Sequence, residues 1–231
     1  YIADISTIKI GLLMVMGTQL KGVCFHEYLG FEHPEDAPVK NKNISLSFAG
    51  HAPHTTAPKL LCNLKNNTRQ NSLPFSLHLA ESEDESQFLW DGIGPWADFL
   101  TSRGIDWSAW ETGNTTPVEY AYKSGLLDNF TIAVHLLNVN TSDLELLVKT
   151  GTRICLCPRS NFNLHGKLPK IEKMLKLGIK PALGTDSLAS CDSLNVLDEM
   201  RYIRKNYPDI SIEQIFEMGT KNGADALGLG N

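Results

Sequence analysis

Two hydrophobic periods alternate along this chain. Short apolar runs with side chains sorting by every second residue predict strands over 2–6, 22–29, 44–53, 75–80, 131–136, 152–158 and 180–186. Longer stretches with apolar positions at helical spacing predict helices over 7–20, 57–66, 142–150, 170–177, 194–206 and 211–227. Pro58 in a first turn, Gly151 after one helix and Gly178 after another mark helix ends. Residues 82–128 form the longest strand-to-strand connection, helical and aromatic, and carry Trp90, Trp96, Trp107 and Trp110.

Strands separated by helices point to parallel βα units. Seven of them fit an α/β chain built as a (β/α)8 TIM-type barrel, a fold of about 250 residues, with its first strand missing. On this reading residues 1–231 make one barrel domain. A doubly wound open sheet is the alternative, but no Gly-x-Gly-x-x-Gly follows the first strand to support a dinucleotide fold.

Alternation also assigns faces, since residues i and i+2 of a strand point the same way. If His78 points into the barrel, so do Ser76 and Ala80; His135 brings Ala133 and Thr131, Asp186 brings Gly184 and Ala182, and His51 brings Ala49, Ser47 and Ser45. The opposite faces carry Leu77, Leu79, Val134, Leu136, Leu183, Leu46 and Phe48, which suits a helix layer. The pattern leaves the face of 22–29 undecided.

Composition narrows the class of function. A net charge of -5 without a Lys/Arg cluster excludes a nucleic-acid or anionic-membrane surface, and the longest apolar run, 10–16, is too short to span a bilayer. Five cysteines without framework spacing indicate neither a disulfide scaffold nor a structural zinc site, and a reducing cytoplasm is expected. Tyr1 opens directly into a strand with no initiator Met, so the chain reads as a piece of a longer protein.

The candidate chemistry lies at the carboxyl ends of strands, where barrels collect functional groups. His51, His78, Glu81, His135 and Asp186 all fall there. Imidazole and carboxylate suit a divalent cation that keeps one position for water, with His78 and Asp186 as ligands. Glu81 is placed to move a proton and His135 to polarise the substrate. His26, His33, His54 and His165 lack this context and are assigned to surface or loop positions. The tryptophans are read as packing, and Cys155 and Cys157 as small buried hydrophobes.

Five motifs then stand in order: His51-Ala-Pro-His-Thr-Thr, His78-Leu-Ala-Glu81-Ser, Val134-His135, Cys157-Pro-Arg-Ser-Asn161 and Leu183-Gly-Thr-Asp186-Ser-Leu-Ala-Ser190. This set resembles the later strand-end motifs of the metal-dependent amidohydrolase superfamily, in the branch of cytosine, guanine and S-adenosylhomocysteine deaminases and triazine chlorohydrolases. The resemblance implies a barrel with one divalent metal, zinc or iron, on His78 and Asp186. It further implies Glu81, His135 and Asp186 as catalytic groups, and His51, Arg159, Asn161 and Ser187 beside the substrate. The implied reaction is hydrolytic deamination of an amino-substituted heterocycle of adenosine-derivative, guanine or cytosine type by metal-bound hydroxide.

The chain departs from such proteins in having no His-x-His pair and no flanking β-sandwich. With two protein ligands where a catalytic zinc has three, weak metal binding and little activity are expected of this piece alone. Chloride displacement or amide cleavage at the same site is the alternative chemistry, and a metal-free ligand-binding barrel the alternative class. Open strand edges next to the missing strand favour a homodimer.

Overall fold

The computed structural model describes every residue except 9, 10, 12, 13, 16, 32, 33, 35, 36 and 231. Within the helix expected over 7–20, residues 9, 10, 12, 13 and 16 lie outside the described residues, and so does His33.

Seven parallel strands form one sheet in sequence order: β1 (Ile2–Ser6), β2 (Gly22–Tyr28), β3 (Ile44–Gly50), β4 (Phe75–Leu79), β5 (Thr131–His135), β6 (Arg153–Leu156) and β7 (Ala182–Leu183). Each strand pairs only with its chain neighbours, as in an incomplete (β/α)8 barrel. The described helices are α1 (Pro58–Gln70), α2 (Glu83–Asp91), α3 (Pro95–Ser102), α4 (Pro117–Lys123), α5 (Thr141–Thr150), α6 (Pro158–His165), α7 (Ile171–Lys176), α8 (Val196–Asn206), α9 (Ile212–Gly219) and α10 (Lys221–Ala226). Among these residues no helix is long and apolar enough to cross a membrane.

Local chemistry sets the helix ends. Pro58 opens α1, whose Leu60, Leu61, Leu64 and Thr68 turn one buried face to the sheet. Asn140 and Asp143 form a capping box at the start of α5, and Gly151 closes it in the left-handed conformation, φ 68°. The single helix expected over 211–227 is two, because Thr220 leaves helical geometry (φ -134°, ψ -84°) between α9 and α10. Helix α6 was hidden behind Pro158, which is the first residue of the helix rather than the end of a strand.

Two apolar layers flank the sheet. The larger, between strands and helices, includes Phe48, Leu77, Leu79, Ala133, Leu136, Ile154 and Leu156. The smaller fills the barrel interior with Val23, Phe25, Ala49, Ile132, Val134 and Cys157. Leu77 is fully buried, and its truncation to Ala would cost about 2–5 kcal/mol.

The face assignment holds for Ser76 and His78 but not for Ala80 or for β5. Strand register pairs Ser76 with Ile132, Leu77 with Ala133 and His78 with Val134, so Ile132 and Val134 point inward and Ala133 outward. Strict alternation would then turn His135 toward the helices. His135 and Leu136 instead adopt left-handed backbone, φ 76° and 49°, and this break restores His135 to the interior while Leu136 packs outward. Ala80, φ 53°, and Asp186, φ 61°, carry the same break at two other strand ends. Each such residue costs about 1–2 kcal/mol, strain that concentrates where side chains must be re-aimed.

Candidate active site

Strand β2 turns Val23, Phe25 and Glu27 inward, settling the face the sequence left open, and Glu27 lies in register with Ala49 on the small face of β3. Glu27, His51 and His78 thereby meet, with one ligand atom from each within 4.8 Å of the others. Oε1 of Glu27 is buried and has no hydrogen-bond partner, an orphan that a cation would satisfy. Burial pushes the Glu27 carboxyl up, His78 opposes this, and Asp186 adds to it. Three such donors fit a divalent metal ion.

His78 lies between His51 and His135, with ring centroids at 5.0 and 5.3 Å. The Nδ1 of His51 meets the Thr55 hydroxyl at 2.7 Å, which leaves its Nε2 for the site. Burial first, and then His78, bring the His51 imidazole down to about 4, so the ring is neutral and free to ligate near pH 7.

Glu81 stands between two imidazoles, 3.6 Å from Nε2 of His135 and 3.4 Å from Nε2 of His165. His135, 2 % exposed, donates from Nδ1 to Oδ1 of Asn161 at 2.8 Å, which fixes its ring with Nε2 toward Glu81. Asn161 is fully buried and its Nδ2 has no partner, so one donor remains beside His135.

Asp186, whose charge is felt by Glu27 and His51, is held by its own set of donors. Its Oδ2 accepts from the hydroxyls of Ser160 at 2.5 Å and Ser190 at 2.9 Å, and its Oδ1 from the Ser187 N–H at 2.8 Å. Burial raises the Asp186 carboxyl, but the Ser160 hydroxyl, His135, Ser190 and the Ser187 N–H outweigh it and hold the group below the usual range.

Of the residues singled out in the sequence, His51, His78, Glu81, His135, Asn161 and Asp186 share this strand-end region, and Ser187 is exposed at its rim. Arg159 turns to α8 instead, donating from Nε to the buried Glu199 at 2.7 Å, from Nη1 to Asp192 at 2.7 Å and from Nη2 to the Ser193 carbonyl at 2.6 Å. Of the histidines assigned to surface or loop positions, His54 lies on a turn after β3 but is buried against Trp96, ring centroids 4.5 Å apart, and His26 is buried on β2. His165 ends α6 and reaches Glu81. Trp110 packs at 3 % exposure and donates to the Pro53 carbonyl at 2.7 Å, whereas Trp90 is half-exposed. Sequence reasoning missed Glu27 and His165; the available signal for the first was a carboxylate near the carboxyl end of a strand otherwise mostly apolar.

Comparison with known proteins agrees with this geometry. The amidohydrolase family model matches residues 101–231. The 5-methylthioadenosine/S-adenosylhomocysteine deaminase of Thermococcus sibiricus is 29% identical over 198 residues, 83% of this chain and 42% of that protein. The aminodeoxyfutalosine deaminase of Deinococcus radiodurans is 28% identical over 196 residues, 82% of this chain and 47% of that one. Among solved structures, the Helicobacter pylori aminofutalosine deaminase bound to methylthio-coformycin superposes with a TM-score of 0.81 at 22% identity, over 97% of this chain and 58% of that one. A zinc-bound adenosine deaminase from Xanthomonas campestris gives 0.65 at 24% identity, over 83% and 40%. The chain thus spans about half the length of the curated relatives it matches. A family match over more than half of the residues, on an incomplete barrel with imidazoles and carboxylates gathered at its strand ends, means that the chain belongs to the metal-dependent amidohydrolase family.

Proposed function

We propose that this chain is the greater part of the barrel of a hydrolytic deaminase acting on the amino-substituted ring of an adenosine derivative. The observation that carries the reading is Glu81, held between His135 and His165 at the mouth of the strands and next to the Glu27, His51 and His78 cluster. Relatives named as deaminases of adenosine derivatives support the substrate class.

His78 and the ionised Asp186, with Glu27 and His51, would hold a divalent cation, zinc being the choice that nitrogen and oxygen donors favour. When bound, it supplies a Lewis acid that brings the acidity of water toward neutrality. Glu81 takes a proton from the attacking water and returns one to the departing amine, so that ammonia leaves and the carboxylate is regenerated. His135, held by Asn161 so that the Nε2 lone pair faces the gap to Glu81, accepts from the attacking water and orients it. Asn161 Nδ2 is the free donor for a substrate acceptor, and Asp186, kept ionised by its serine and backbone donors, orients the nucleophile. Ser187 lies at the rim where substrate enters, and His51 borders the same space. Arg159, committed to Glu199, frames the site through α8. The free cysteines fit a reducing cytoplasm.

The test is ammonia release by the full-length protein, with zinc, from 5-methylthioadenosine, S-adenosylhomocysteine, 5'-deoxyadenosine and aminodeoxyfutalosine. Turnover of any of these supports the reading. Chloride release from a triazine with no ammonia from the nucleosides would replace it.

A further inference from the structure

Glu85 is a fully buried carboxyl to which the reaction above gives no part. Ser82 caps α2 and accepts from the Glu85 N–H at 3.0 Å. In a capping box the third-residue carboxylate would return to the N–H of the capping residue. Here it reaches further back. Its Oε1 accepts from the Ala80 N–H at 3.1 Å and its Oε2 from the Glu81 N–H at 2.8 Å.

The carbonyls of the same two residues are held from another loop. The Asn138 N–H donates to Ala80 O at 2.8 Å, and Asn138 Nδ2 donates to Glu81 O at 2.8 Å. All four backbone polar groups of residues 80 and 81 are therefore bound by two residues, Glu85 and Asn138. Between them lies the left-handed bend at Ala80 that changes the direction of the chain as it leaves β4.

We propose that Glu85, with Asn138, is the positioning residue for Glu81: the two clamp the 80–81 turn from its N–H and carbonyl sides and so aim the Glu81 carboxylate at His135. Helix capping alone explains neither the reach past Ser82 nor the matching grip of Asn138. His54 Nδ1, 4.0 Å from Glu85 Oε1, is otherwise unpartnered, and burial raises the Glu85 carboxyl to about 8 against the pull of the Ala80, Glu81 and Ser82 N–H groups; protonated or not, the carboxyl keeps acceptor lone pairs on both oxygens. Gln at this position keeps the shape but offers one acceptor where the turn presents two donors.

The inference rests on the role proposed for Glu81, so its test has one arm that needs no reaction. In the full-length, metal-loaded protein, amide hydrogen exchange at Ala80 and Glu81 should quicken by about tenfold or more in Glu85→Gln while the amides of Leu77 and Leu79 keep their protection. Unchanged exchange overturns the clamp whether or not the protein deaminates anything. In the active enzyme, Glu85→Gln should lower kcat by about a hundredfold with KM and metal content kept. Added to Glu81→Gln, it should change the residual rate by less than about twofold. An equal loss in both backgrounds makes Glu85 merely structural and overturns the proposal. If Glu85→Gln does not fold, Asn138→Ala removes the Nδ2 bond to the Glu81 carbonyl while keeping the main-chain bond to Ala80, and should quicken exchange at Glu81 and lower kcat; no change in either overturns the clamp.

Discussion

The backbone carbonyl of His51 accepts two hydrogen bonds from His78, one from its N–H at 2.9 Å and one from Nδ1 of its ring at 2.8 Å. A carbonyl only accepts, so Nδ1 carries the proton and Nε2 keeps the lone pair. The end of β3 thus fixes both the backbone and the tautomer of the residue at the end of β4. Because the acceptor is main chain, substitution of the His51 side chain leaves this orientation in place, and loss of metal in such a variant would report ligation by His51 itself.

Glu27→Gln separates a ligand from a spectator. Oε1 of Glu27 is buried without a hydrogen bond, its nearest imidazole nitrogen being Nδ1 of His78 at 3.5 Å; this is costly to the metal-free protein, and the isosteric amide removes that charge. Metal affinity should fall by at least about 10–100-fold, read by elemental analysis after dialysis, while the thermal midpoint of the metal-free protein rises. Wild-type metal content in the variant would rule Glu27 out.

Glu81→Gln should lower kcat by about 10²–10⁴-fold at unchanged metal content, since the amide can neither take nor return a proton. Glu81 makes its close contacts with His135 and His165 and is not among the three residues that gather ligand atoms, so substrate affinity should stay within a few-fold. Single-turnover kinetics with a nucleoside substrate would show it. A variant that turns over at the wild-type rate would remove Glu81 from the reaction.

The sequence made the barrel legible because seven strands and their helices each obey a simple period, and because His51, His78, Glu81, His135 and Asp186 follow those strands at their carboxyl ends. What it hid follows from backbone conformation. His135 reaches the interior only through a left-handed residue, which alternation does not encode, so Ala133 and Val134 were assigned to the wrong faces. Glu27 was hidden because both faces of β2 are buried, and a strand covered on both sides shows no polar rhythm. His165 meets Glu81 from 84 residues away, across a helix that Pro158 concealed.

Arg159 sits on a motif associated with the substrate pocket, yet its side chain is spent on Glu199, which is fully buried and also accepts from the Arg159 N–H at 3.2 Å. Arg159→Ala would strand that carboxylate and should cost about 3–5 kcal/mol in urea unfolding. Replacing both residues by Met should recover most of the loss. The bridge to Asp192, a residue 91% exposed, adds little. A stable Arg159→Ala protein with a greatly raised KM would instead return Arg159 to the substrate.

His54 and Glu85, 4.0 Å apart, should shape stability in opposite directions. Burial lifts Glu85 from 4.5 to about 8, so the folded chain keeps a proton that the unfolded chain has released; this contribution is full below 4.5 and is lost as pH rises toward 8. Burial lowers His54 from 6.5 to about 3, so its contribution is full above 6.5 and is lost as pH falls toward 3. Each slope is at most about 1.4 kcal/mol per pH unit, and the two cancel where they overlap. Urea midpoints should therefore be level from about pH 5 to 6, with an alkaline decline that Glu85→Gln abolishes and an acid decline that His54→Leu shallows. If Glu85→Gln kept the full alkaline decline, the buried carboxyl would not be its source.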